Sequence, residues 1–105
     1  MTPPPLTAEQ RSQAAQTAIQ ARRRRAEIKS DFHSGHLSLV DVLDLAGVDP
    51  AADRLRVVEL LEAIPRVGPV RAHAIMTELG IAPNRRLRGL GAHQKVALLN
   101  YFEGM

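Results

Sequence analysis

Five arginines crowd two glycine-led turns in the second half of this 105-residue chain. Arg66 and Arg71 flank Val67-Gly68-Pro69-Val70, and Arg85, Arg86 and Arg88 lead into Gly89-Leu90-Gly91. A helix that begins at a glycine turn presents unpaired backbone N–H groups and the positive end of its dipole, which together attract an anion. Guanidinium adds a planar fork of donors that fits a phosphate or the edge of guanine. Two such helix starts ringed by arginines have the chemistry of a clamp for phosphates along a polymer. The candidate contacts are the amides of Gly68 and Val70, with Arg66 and Arg71, then Arg85, Arg86, Arg88, Gly89 and Gly91. His93 and Lys95 join them from the first turns of the following helix. Contacts of this kind position a protein on a polymer without reading its sequence.

The elements that must hold these groups are legible nearby. Val57, Leu60, Leu61 and Ile64 fall at helical spacing, so their side of a helix faces a core. Pro65 ends that helix, because it lacks an N–H and clashes with the preceding turn. Gly68 supplies a Cβ-free point in the turn, and Pro69 suits the first position of the next helix. On that helix Ala72, Ile75, Met76 and Leu79 form one apolar stripe, with Val70, Arg71 and Ala74 on the opposite face. Gly80 caps it, and Ile81-Ala82-Pro83 makes a turn. A last helix runs from about Ala92 to Phe102, with Val96, Leu99 and Phe102 expected to point inward.

Upstream, residues 1–6 contain three successive prolines and read as a flexible tail. Thr7 and Gln10 form a capping box for a long helix from Ala8 to about Asp31. That helix would be ~35 Å long at ~1.5 Å per residue. Its apolar side chains are mostly Ala, so it packs lightly, through Ile19, Ile28 and Phe32. Arg22 to Arg25 are consecutive, and at ~100° per residue they point in different directions. Some of them, with Lys29, could form a second contact region through Arg22 and Arg25; the others are solvated or pair with acidic residues. His33-Ser34-Gly35-His36 is a loop whose histidines read as solvated, since no third ligand follows at metal spacing. Ser38 and Asp41 cap a helix over Leu39 to Ala46, with Leu37 and Val42 as its hydrophobic staple. Asp49-Pro50 starts a short helical turn.

Composition narrows the function classes. There is no Cys and no Trp, so neither a disulfide framework nor a Cys-based zinc site is possible, and a reducing cytosol fits. No apolar run reaches the length of a membrane span. The net charge of +3 hides an asymmetry. Residues 1–30 carry six basic and two acidic groups, residues 31–62 two and seven, and residues 63–95 six and one. An anionic partner therefore suits both ends and not the middle.

Ile64-Pro65-Arg66-Val67-Gly68-Pro69 with Ala72 resembles a helix–hairpin–helix, departing at Arg66, where the pattern usually has a glycine. Ala63 to Gly68, Met76 to Pro83 and Arg85 to Gly91 together resemble the actinobacterial integration host factor family. Pro5 to Arg11 fits as well, so the similarity covers nearly the whole chain. The resemblance implies an all-α fold: a long N-terminal helix and loop over residues 7–36, packed on a compact four-helix helix–two-turns–helix domain over residues 37–103. It also implies a nucleoid-associated, cytoplasmic protein on double-stranded DNA, monomeric without DNA, which bends or compacts the duplex and assists phage site-specific integration beside an integrase. Neither a cofactor, a metal, a membrane nor a small-molecule substrate is expected.

Two other function classes share some of these features. A glycosylase or lyase would need a catalytic Lys, Asp or N-terminal Pro beside a pocket for a flipped base. Lys29 and Lys95 are the only lysines, and no aromatic lining is encoded. A ribosome-associated RNA-binding module shares the helical elements, but the long lysine-rich tail of such a protein is missing. Comparing duplex DNA, single strands and duplex RNA separates these classes.

Overall fold

The computed structural model describes residues 4–103; residues 1–3 of the tail read from the sequence, and residues 104–105, lie outside the described residues. Helix α1 (Ala8–Ser34) starts at the capping box expected of Thr7 and Gln10, and runs three residues beyond Asp31. It stops at Gly35, which holds a left-handed φ of 87°. The whole stretch from Ala8 to Thr17 is exposed, because Ala, Gln and Arg offer no apolar stripe to bury. Contact with the core is confined to the C-terminal half, where Ile28 is fully buried and Phe32 partly so. Ile19 stays 46% exposed and does not pack as expected.

Helix α2 (Leu39–Ala46) begins at the Ser38–Asp41 capping box. Helix α3 (Pro50–Asp53) is a single turn whose cap, Asp49, accepts the Ala51 amide at 2.9 Å through Oδ1. The other oxygen of Asp49 accepts from Arg24 Nε at 2.8 Å, which ties α1 to α3. One member of the four-arginine run is thus consumed by the acidic middle segment. Helix α4 (Val57–Glu62) ends earlier than the apolar spacing implied, since Ile64 lies in the following turn although it is still buried. Val58, off the apolar stripe of α4, is partly buried against the core.

Helix α5 (Pro69–Glu78) buries Ala72, Ile75 and Met76, as its stripe required. It closes with paired bonds from the Gly80 amide to the Thr77 carbonyl and from the Ile81 amide to the Met76 carbonyl, at 3.2 and 2.8 Å. This double bond pattern needs a left-handed residue, and Gly80 supplies it with φ 69°. A short 3-10 turn (Leu87–Gly89) leads to helix α6 (Ala92–Tyr101). There the inward face differs from the expected one. Leu98 is fully buried, Leu99 and Phe102 are partly buried, and Val96 is 55% exposed. Val96 and Leu99 are three apart, as Leu98 and Phe102 are four apart, so the spacing alone allows either stripe; contact with the rest of the core selects the second.

The architecture is all-α, with one isolated antiparallel bridge, Arg56 opposite Arg86, among the described residues. A single core joins Ile28 of α1 to residues of every later helix, including Leu55, Leu60, Leu61, Ile75, Met76, Leu87 and Leu98.

Candidate nucleic-acid interface

The hairpin between α4 and α5 is a tight turn closed by the Val67 amide donating to the Ile64 carbonyl at 3.0 Å. Pro65 occupies the second position and Arg66 the third. Arg66 has φ 72°, the only positive φ at a non-glycine among the described residues. A turn with Pro second and a left-handed residue third favours glycine at that third place, which accounts for the glycine of the helix–hairpin–helix pattern. Arg66 adopts the same backbone at a cost of ~1 kcal/mol. It projects an exposed cation from the tip of the hairpin.

Gly68 is different. It caps α5 with φ −86° and ψ 178°, a conformation open to any residue, and a Cβ built there meets nothing within 4 Å. The fold does not require glycine here; the space in front of its backbone is open. No side chain caps the start of α5. The orphan amides of a helix's first turn, here Val70 and Arg71, then face solvent or a ligand. Arg71 and Val70 are exposed beside them, Val70 to 85%.

The second helix start also has no side-chain cap on its first-turn amides, but its cap residue is engaged. The Gly91 amide already donates to Gln94 Oε1 at 3.1 Å, and Gln94 Nε2 donates to the Gly80 carbonyl at 3.0 Å. Gln94 thereby fastens the start of α6 to the end of α5 and occupies an amide that the sequence had suggested for phosphate. His93 is exposed and Lys95 half-buried on the first turns of α6.

The arginine loop divides its three cations among three environments. Arg85 folds back so that Nη1 donates to the Gly89 carbonyl at 3.1 Å. A Cβ on Gly89 would lie 2.8 Å from Arg85 Cδ, so Gly89 makes room for the arginine stem. Arg86 reaches across to donate Nη1 to the Arg54 carbonyl at 3.1 Å. Arg88 is exposed. Each guanidinium has five donor hydrogens, so Arg85 and Arg86 keep donors for an anion while one is used internally.

The Arg56–Arg86 bridge brings in two residues that sequence reasoning missed. Arg54 and Arg56 stood in the acidic middle segment, yet both are exposed and adjoin the arginine loop. Their only signal in the sequence was the alternation of Leu55, Arg56 and Val57, too short to read as a strand.

In the proposed second region, Arg22 is exposed while Arg25 and Lys29 are half-buried. Their spacing of three and then four residues puts them on one face of α1. Among the described residues the ion pairs within 4 Å all belong to Arg24, with Glu27 and Asp49. Arg22, Arg25, Lys29 and the cations of the hairpin and loop have no such partner. Of the two histidines read as loop residues, His33 lies in the last turn of α1, and both are more engaged than expected: His33 Nδ1 lies 2.8 Å from the Ala63 carbonyl and His36 Nδ1 2.6 Å from Ser34 Oγ.

Two carboxyl groups are held below the usual carboxylate range. For Asp49 the main cause is the Arg24 side chain, then the Ala51 and Ala52 amides, with burial acting against them. For Asp41 it is the backbone amide of Ser38, then its hydroxyl. Both act on the fold, at the starts of α2 and α3.

The chain is similar to known proteins over nearly its whole length. Residues 32–102 match the S13-like H2TH domain family. The integration host factor of Mycolicibacterium smegmatis is 50% identical over 98% of both chains. That of Mycobacterium tuberculosis is 51% identical over 97% of both. A solved structure of sIHF bound to an 8-bp palindromic DNA superposes with a TM-score of 0.80 at 40% identity, covering 83% of this chain and 98% of that one. The hairpin, the capped turns and the arginine loop therefore sit in a known frame, and this chain belongs to the integration host factor family of actinobacteria, with an S13-like H2TH domain.

Proposed function

We propose that this chain is an architectural DNA-binding protein of the nucleoid, holding duplex DNA through phosphate contacts with little dependence on sequence. The observation that carries this is the unpaired first turn of α5, with Arg66 and Arg71 beside it and no carboxylate partner for either. The DNA held by its structural relative sIHF supports the same reading. Arg85, Arg86 and Arg88, with the backbone at Gly89 and Gly91 and with His93 and Lys95, extend the contact along the duplex. Arg22, Arg25 and Lys29 on α1 form a second region. Two contact regions acting at once would bend or compact DNA. In that state the protein assists phage integration beside an integrase; without DNA it is a monomer.

Binding dominated by phosphates weakens linearly with the logarithm of salt, at ~0.9 per phosphate neutralised on a duplex. If roughly six phosphates are engaged, the slope is about −5. Titrating labelled duplex DNA, single-stranded DNA and duplex RNA across salt concentrations tests this. Tighter binding to duplex DNA with a steep slope is expected. Preference for duplex RNA would transfer the function to the ribosome-associated class that the S13-like domain also suggests.

A further inference from the structure

We propose that Arg56 and Arg86 form a two-arginine clamp on a single backbone phosphate, an inference that rests on the DNA-binding reading above. The two residues are 30 apart in sequence and face each other in the isolated antiparallel bridge. The flanking backbone bonds run from the Val57 amide to the Arg85 carbonyl at 3.0 Å and from the Leu87 amide to the Leu55 carbonyl at 2.9 Å. Arg56 and Arg86 are thus a non-hydrogen-bonded pair, the class in which opposed side chains approach most closely. Opposed residues of such a pair project to the same face, with Cβ atoms ~5 Å apart.

The direction of that face follows from the neighbours. Leu55, Val57 and Leu87 are fully or almost fully buried, anchoring both segments in the core. Side chains alternate along extended backbone, so Arg56 and Arg86 must point away from the core. Like charges opposed across a ladder destabilise it. Here none of the nearby carboxylates relieves the repulsion: Asp53 and Glu59 are close in sequence, but neither pairs with an arginine within 4 Å. Arg86 is further steered towards this strand by its bond to the Arg54 carbonyl. Two arginines based on opposed positions of the bridge, with no carboxylate partner, bring forked donors to one tetrahedral anion. A phosphate between them removes the repulsion and accepts from both.

Fluorescence anisotropy on a 20-bp duplex, with Arg56→Glu compared against Arg23→Glu, tests the clamp. Arg23 is an exposed arginine of α1 outside the proposed contacts, and its substitution makes the same change in net charge. Arg56→Glu is expected to weaken binding at least about tenfold more than Arg23→Glu, and Arg56→Gln to reduce the salt slope by about one. The melting temperature of Arg56→Glu should equal or exceed that of the unsubstituted protein, because an opposite-charge pair replaces a like-charge pair. Equal affinity loss in the two glutamate variants, or a lower melting temperature for Arg56→Glu, would overturn the clamp alone. Failure of the unsubstituted protein to bind the duplex would overturn the DNA-binding reading, and the clamp with it.

Discussion

The hairpin and the arginine loop are both cationic, glycine-bearing entries to a helix, yet they are built on opposite terms. At the hairpin the backbone is strained and the side chain is free: Arg66 holds a left-handed φ of 72° and projects from an exposed tip. In the loop all φ values are ordinary and two of the three arginines are engaged, Arg85 on the Gly89 carbonyl and Arg86 on that of Arg54. The helix starts differ less: neither has a side-chain cap on its first-turn amides, and at α6 Gln94 takes only the amide of Gly91. Cations fixed in this way lose less freedom on binding. A free cation on a strained tip reaches further and costs stability in the unbound fold.

The largest test of this contrast is Arg85→Ala with Arg86→Ala and Arg88→Ala. Removing about three phosphate contacts should lower the salt slope from about −5 to roughly −3 and weaken binding about a hundredfold near physiological salt. Within that set Arg88→Ala should reduce affinity and leave melting unchanged, whereas Arg85→Ala should lower the melting temperature, since its internal bond to Gly89 is lost. Equal melting for all three single variants would break the distinction drawn for the loop.

Next in size is Asp49→Ala, which removes a helix cap and the anchor of Arg24 together. It should destabilise the protein by about 1–2 kcal/mol, measured by urea unfolding. Asp49 and Asp41 both have folded-state pKa values below their unfolded values. Their stabilisation is therefore complete above about pH 4, near the unfolded carboxylate value. It is lost as pH falls through the folded values. Unfolding followed between pH 5 and 2 should show this loss, and Asp49→Ala should flatten it. If it does not, α1 is held by something other than the Asp49–Arg24 bond.

Gly68→Ala with Gly91→Ala should reduce DNA affinity by more than the melted fraction explains, because added Cβ atoms stand where a phosphate would approach. The fold should lose only about 0.5–1 kcal/mol at each site, the difference between Gly and Ala at a helix cap. Thermal melts run beside the titration separate the two effects. Arg66→Gly should stabilise the fold by up to ~1 kcal/mol through relief of the left-handed backbone while weakening DNA binding. A variant less stable than the parent would show that the Arg66 side chain supports the turn. The smallest change in affinity is expected from Arg22→Ala with Arg25→Ala, which should instead reduce DNA bending in saturated complexes. Unchanged DNA geometry would leave the hairpin and loop as the only contacting surface.

Local chemistry determined much of this protein from its sequence. Thr7 with Gln10 and Ser38 with Asp41 start their helices because each pair satisfies amides within its own turn. Gly80 ends α5 by backbone constraint, and the α5 stripe buries as its spacing demands. Such signals need only neighbours in sequence, and the motif residues from Arg85 to Gly91 likewise marked the family. Tertiary structure decided which arginines remain free. Arg24 goes to Asp49, 25 residues away, and Arg86 to the Arg54 carbonyl, 32 away. It also chose Leu98 over Val96 as the inward residue of α6. Helical spacing leaves such choices degenerate, and only the packing of distant segments on one core removes the degeneracy. The bridge that sets Arg56 against Arg86 is of this kind: two short segments, each without a strand signal of its own, are paired because Leu55, Val57 and Leu87 bury together.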